Sequence, residues 1–189
     1  MVDLKLEIQQ QAAFQSVEEQ ALLNLIRTTD CVDRAMQRAI KPWGVTSTQY
    51  NVLRILRGSH PRGLTCSAIG DRMLTAEPDI TRLLSRLKKQ KLVRQQRDRH
   101  DRRMLWTQIS DAGLKLLAEM DPMIAKAPVE LLGHLGAADL GVLIRLLETV
   151  RASCSDRAGL DHAGPDRAVS DRSGPPTCDG SGKTTCDGK

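Results

Sequence analysis

Residues 97–103 read RDRHDRR, seven polar side chains in succession that no hydrophobic core can take in. The chain on either side is β-prone. Leu92-Val93-Arg94 precedes the run, and Leu105–Ile109 follows it, with Leu105, Thr107 and Ile109 alternating with Met104, Trp106 and Gln108. Two such stretches joined by a charged loop predict a hairpin with its tip in water, a wing over residues 92–109. Immediately upstream, Pro78–Gln90 places Ile80, Leu83, Leu84 and Leu87 on one side and Arg82, Arg86 and Lys89 on another. That spacing predicts a two-faced helix. Pro78 suits its first position, where a missing N–H donor costs nothing.

The elements before and after this pair are helical. From Val17 to Ile40, apolar residues fall at Ala21, Leu22, Leu25, Ile26, Val32, Met36 and Ile40, a single stripe ended by Pro42 and Gly44. Thr46-Ser47-Thr48-Gln49 has the hydroxyl-x-x-Gln form of a capping box and starts a helix carrying Tyr50, Leu53 and Leu56. Thr65 can cap a short helix with Ala68, Ile69 and Met73 inward, so that a helix-turn-helix spans 65–90. Ser110 caps a further helix from Asp111-Ala112-Gly113 toward Leu135, which Pro122 and Pro128 bend or divide. A last helix is expected from Ala137 to Ala152.

Charge is concentrated in the same place. The chain is 189 residues long with a net charge of +5, but residues 72–103 hold 11 basic against 4 acidic groups, net +7. A focused positive surface on a helix and wing suits nucleic acid. Only Phe14, Trp43, Tyr50 and Trp106 are aromatic, which argues against a sandwich or barrel. No apolar run approaches the roughly 18–20 residues of a bilayer span, so no membrane partner is expected. MVDLKLEIQQ at the start lacks the apolar stretch of a secretory leader, and a cytoplasmic, nucleoid-associated protein is the expectation.

The order of elements resembles the MarR-type winged-helix family of bacterial transcription regulators over roughly residues 17–152. TAEPDITRLLSRLKKQKLVRQ is similar to that family's recognition helix and first wing strand, and RDRHDRRMLWTQISDAG to its wing and following helix. The resemblance implies a mainly α fold, a winged helix-turn-helix with an α/β wing hairpin, whose N- and C-terminal helices form a dimerisation domain. It implies a homodimer that binds a near-palindromic operator in double-stranded DNA, a repressor released by a small phenolic or aromatic effector. Arg103 then enters the minor groove, braced by Asp101, while Arg99 and Arg102 contact phosphates or the groove. Pro78, Asp79, Thr81, Arg82 and Arg86 match the positions that face bases and backbone. Trp43 and Tyr50 sit where relatives often hold an effector, although core packing explains them equally well. Some relatives sense oxidants through a thiol in the first helix, which makes Cys31 a redox candidate. A buried structural Cys31 is the stronger expectation, since no nearby cation lowers its pKa. Two departures stand out: Lys91 replaces the Gly that usually ends the recognition helix, and His100 replaces a Pro or Glu of the wing.

Residues 1–16 read as an N-terminal extension and 153–189 as a disordered low-complexity tail. The tail repeats Asp at 156, 161, 166 and 171 and carries almost no large aliphatic residue. Its GSGKTT string is not a phosphate loop, because Thr177 occupies the position of the first required Gly. The five Cys and four His are scattered without ligand spacing, so neither metal nor cofactor is expected. No catalytic constellation is legible, which argues against an enzyme. The residues by themselves leave open a winged-helix module that binds DNA without sequence preference or docks on protein, and a thiol-based oxidant sensor.

Overall fold

Most helix starts in this chain are set by a side-chain oxygen that takes up a free backbone N–H. The computed structural model describes residues 3–98, 101 and 103–161, in two units, Met1–Gly136 and Ala137–Lys189. In the first unit, a one-turn helix α1 (Leu4–Glu7) is tied to α2 (Val17–Ile40) by the Arg27–Glu7 ion pair at 3.0 Å. Ser16 caps α2 through Glu19 N–H at 3.1 Å. A 3-10 turn, Lys41–Trp43, then ends at Gly44 with φ +70°. Helix α3 (Ser47–Gly58) opens on the expected capping box: Gln49 N–H donates to Thr46 Oγ1, and Thr46 N–H donates to Gln49 Oε1.

The sheet has three strands, one more than the hairpin the sequence predicts. Strand β1 (Leu64–Thr65) leads into α4 (Cys66–Gly70), whose cap is Thr65. Helix α5 (Ile80–Lys89), strands β2 (Val93–Arg97) and β3 (Leu105–Ile109), and helix α6 (Asp111–Ile124) follow. The sheet order is β1-β3-β2, antiparallel throughout, with Val93 opposite Ile109, Arg97 opposite Leu105, and Thr65 opposite Trp106. Gly63 makes the β1–β3 approach possible: a Cβ there would run into Thr107 O, and its φ of +78° favours glycine.

Helix α4 stops at Gly70, so Met73 lies in the connection to α5, packed against the core but not helical. The connection is held to α3 by Leu74 N–H donating to Asn51 Oδ1 at 3.1 Å. Helix α6 contains Pro122 without ending there. The break falls at Ala125, before α7 (Lys126–Leu132). Pro128 has no N–H to give the Ile124 carbonyl four residues back, and its ring crowds that carbonyl, so the helix ends at Ile124.

The core unites these elements. Ile40 of α2, Val52, Leu53 and Leu56 of α3, Ile69 of α4, Leu84 and Leu87 of α5, and Leu117 and Met120 of α6 are sealed from water. The expected α2 stripe is continuous, but only its C-terminal part is buried within the chain. Met36 packs on the core and Ile40 is sealed, while Leu22 and Ile26 are each 57% exposed.

The second unit is helix α8 (Ala137–Asp161), nine residues longer than the expected end at Ala152. The helix absorbs the first part of the expected tail, and residues 162–189 lie outside the described residues. Leu140, Leu143 and Leu147 are half-buried, whereas Val142, Ile144, Leu146 and Val150 are exposed. No single helix among the described residues is long and apolar enough to cross a membrane.

Candidate nucleic-acid interface

Helix α5 buries one side and offers the other. Leu83, Leu84 and Leu87 are buried, and Thr81, Arg82, Ser85, Arg86, Lys88 and Lys89 are exposed. Its start differs from the sequence expectation. Asp79, not Pro78, sets the boundary: its carboxylate accepts the Arg82 N–H at 2.8 Å, and Pro78 lies in the turn before the helix. A carboxylate at that end meets the partial positive charge of the helix N-terminus, which a proline cannot. Both residues remain exposed beside Thr81 and Arg82. Thr81 Oγ1 sits 3.9 Å from Cys66 Sγ, linking the two helices of the pair.

The far end of α5 is locked to its surroundings. Lys91 takes φ +62°, and its N–H donates to Lys88 O at 2.9 Å while Leu92 N–H donates to Leu87 O at 3.0 Å. These are the two bonds of a Schellman stop, made here without glycine. Ser110 Oγ donates to Lys91 O at 2.7 Å and accepts the Gly113 N–H at 3.1 Å, so one hydroxyl joins the end of α5 to the start of α6. At Gly113 a Cβ would meet Leu92 O. Gln49 Nε2 donates to Gln90 Oε1 at 3.3 Å, fixing the same end to α3.

The wing tip is braced from within. Asp98 N–H donates to Met104 O and Met104 N–H to Asp101 O, both at 2.9 Å. Asp98 Oδ1 accepts the Asp101 N–H at 3.0 Å, and Asp98 Oδ2 accepts Trp106 Nε1–H at 3.0 Å. Asp101 Oδ1 accepts the backbone N–H of Arg103 at 2.9 Å. The brace that the resemblance implied thus runs to the main chain of Arg103. Asp101 and Arg103 are both exposed. Arg99, His100 and Arg102 lie outside the described residues. Sequence reasoning missed Asp98: its carboxylate bonds to residues three and eight positions away, and only the hairpin register brings the second within reach.

The remaining candidates lie elsewhere in the chain. Tyr50 is 7% exposed in the core with the Arg54 guanidinium 5.8 Å from its ring, and Trp43 packs against the same core. Burial pushes the Tyr50 phenol above its ordinary value. Cys31 is exposed on α2, not buried as expected, because its position falls outside the apolar stripe. Arg34, one turn on, is bonded to Asp30, and that hydrogen bond holds the Asp30 carboxyl below its usual range. Cys66 is half-buried and Cys154 exposed, and no group of His, Cys, Asp and Glu among the described residues could hold a metal.

Comparison with known proteins fits this geometry. The family model for the MarR family matches residues 43–104, from the 3-10 turn to the end of the wing loop. The MarR transcription factor from Planctomyces limnophilus is 39% identical, over 72% of this chain and 99% of that one, with a TM-score of 0.57. The chain belongs to the MarR family. As a MarR-family transcriptional regulator it is also similar to the HTH-type transcriptional regulator MhqR of Bacillus subtilis. The identity there is 27% over 128 residues, 67% of this chain and 86% of MhqR. BpsR of Bordetella bronchiseptica, whose DNA binding is regulated by 6-hydroxynicotinic acid, shares the fold. It is 22% identical over 74% of this MarR-family chain and 98% of its own, with a TM-score of 0.66.

Proposed function

We propose that this regulator is a dimeric, sequence-specific DNA-binding repressor, not an enzyme, and that a small aromatic or phenolic effector releases it from its operator. The observation that carries the reading is the exposure of Arg82, Arg86, Lys88 and Lys89 on α5 and of Arg103, whose backbone N–H donates to Asp101, on the wing. A helix on a buried apolar base can enter a major groove, where arginine pairs bidentately with guanine. The wing arginine reaches the adjacent minor groove, whose negative potential draws a guanidinium. Pro78, Asp79 and Thr81 stand at the groove end of α5, and Arg99 and Arg102 extend the wing contacts.

Dimerisation is supported by the apolar surface left open. Leu22 and Ile26 on α2 and Val129 on α7 are exposed, and α8 by itself exposes Val142, Ile144, Leu146 and Val150. Large aliphatic side chains left in water on this scale are a surface that a partner covers. The effector part draws on BpsR, and on the p-coumaroyl-CoA-bound CouR of Rhodococcus jostii, which shares the fold at 20% identity and a TM-score of 0.60. Trp43 and Tyr50 are the residues assigned to an effector pocket, between the α2 end and α3. Oxidant sensing through Cys31 has exposure in its favour, but the neighbouring Arg34 is already paired with Asp30.

Footprinting of the full chain on the DNA flanking its own gene tests the reading. One protected near-palindrome with half-sites about one helical turn apart is expected. Equal affinity for random duplex of the same length overturns it in favour of a non-specific module.

A further inference from the structure

Alternation along β3 turns Thr107 and Ile109 into the core and Trp106 to the opposite, outer face of the sheet. There Trp106 is half-buried, with Thr65 of β1 and Gln96 of β2 as its cross-strand partners. Among the described residues, the core is formed and flanked without it. An indole is a large apolar group, and an outer face gives it little burial. What it gains there is a bond. Its Nε1–H donates to Asp98 Oδ2 at 3.0 Å, across the two strands of the wing.

That bond opens a chain of contacts that ends at Arg103. The other oxygen of the same carboxylate accepts the Asp101 N–H at 3.0 Å, and Asp101 Oδ1 accepts the Arg103 N–H at 2.9 Å. A carboxylate suits the junction, because both of its oxygens accept and bonds to a charged acceptor are the strong ones. The strand register ends at the Arg97–Leu105 pair, and the bonds from Asp98 to Met104 lie within the tip beyond it. The indole is the side chain that ties this tip back to the paired strands. Its own place is fixed from both sides, by the register with Gln96 and with Thr65.

We propose that Trp106 is a positioning residue for DNA binding: through Asp98 and Asp101 it fixes the wing tip, so that Arg103 is set for the minor groove before DNA arrives. The role rests on the operator-binding reading and adds to it a residue that acts through Arg103 and not by contact. A tip that wanders presents Arg103 correctly only part of the time, and apparent affinity falls by that fraction.

The test is a double-mutant cycle on the full chain, read by fluorescence anisotropy with a labelled copy of the duplex that footprinting finds protected. Trp106→Phe keeps a ring and removes the N–H donor, and thermal melting followed by circular dichroism checks that the fold is retained. In the natural chain Trp106→Phe is expected to weaken binding about tenfold, and in an Arg103→Ala background by less than about twofold. The link is also cut from its other end: Asp98→Asn keeps one accepting oxygen, sets an amide against the second donor, and is expected to follow the same pattern. The chain has two tryptophans, so the indole N–H signal that Trp106→Phe removes from the NMR spectrum belongs to Trp106. That signal is expected to shift and to exchange faster with solvent in Asp98→Asn, a change that a ring serving only as packing does not show. An equal loss in both backgrounds overturns the proposal and leaves the operator reading standing. So does a Trp106→Phe chain that binds as tightly as the natural one beside a weakened Arg103→Ala. An Arg103→Ala chain of full affinity overturns the proposal together with the wing contact itself.

Discussion

At the scale of the residue, the local interactions were the legible ones. Thr46, Thr65 and Ser110 cap helices as their hydroxyls and spacings predict, because a cap and the N–H that donates to it lie within three positions of each other. Asp98 was not legible, since its bond to Trp106 exists only once the strands are in register. In the proposed operator complex, Arg103 is the residue on which DNA binding turns most directly. Replacing Arg103 with Ala is expected to cost about 1–3 kcal/mol of operator affinity while leaving subunit association unchanged, as read by fluorescence anisotropy and sedimentation. Tyr50 carries a pH consequence. Burial, the largest cause, raises its phenol above the ordinary 10.0 in the folded chain. Its contribution to stability is therefore intact below that ordinary value, and it is lost as pH climbs through the raised one. Urea unfolding from pH 8 to 11 should show a steeper alkaline loss for the natural chain than for Tyr50→Phe. Identical slopes would contradict a buried phenol.

At the scale of the element, boundaries follow backbone chemistry that sequence shows only in part. The α6–α7 break was foreseeable from Pro128, although the freed carbonyl places it at Ala125 and not at either proline. Strand β1 could not be foreseen: two residues have no period, and Leu64–Thr65 becomes a strand only because β3 is there to pair with it. The end of α5 shows the reverse situation, where a residue of unfavourable type is held by its surroundings. Lys91 sits at φ +62°, a conformation costing a non-glycine residue roughly 1–2 kcal/mol, and two Schellman bonds and Ser110 Oγ hold it there. Glycine removes that strain but adds freedom to the unfolded chain and loses a cation at a helix C-terminus. Lys91→Gly is accordingly expected to stabilise the chain by about 0.5–1 kcal/mol net, seen as a higher urea midpoint at unchanged slope. A lower midpoint would mean that the side chain makes a contact worth more than the strain.

At the scale of the whole molecule, the amphipathic stripe on α2 was read correctly as a stripe, but sequence could not tell which half the chain itself would cover. Leu22 and Ile26 lie on the uncovered half, and Val17 is 78% exposed at its start. Leaving such residues to water is unusual for a lone chain. Sedimentation equilibrium should give a dimer for the natural chain and a monomer for Ile26→Asp, with helical content retained in both; a dimer that survives the substitution would move the interface off α2. One residue described above has a bearing on how the molecule comes apart. Thr65 is paired with Trp106 in the sheet and is also the cap of α4. The wing and the helix pair therefore share a hinge pin, and neither can open without releasing the other. In a native-state hydrogen-exchange experiment, the amides of β3 and of α4 should open with a single common free energy, while those in the first turns of α2 exchange independently. The two DNA-facing parts would then be lost and regained together, as one cooperative unit.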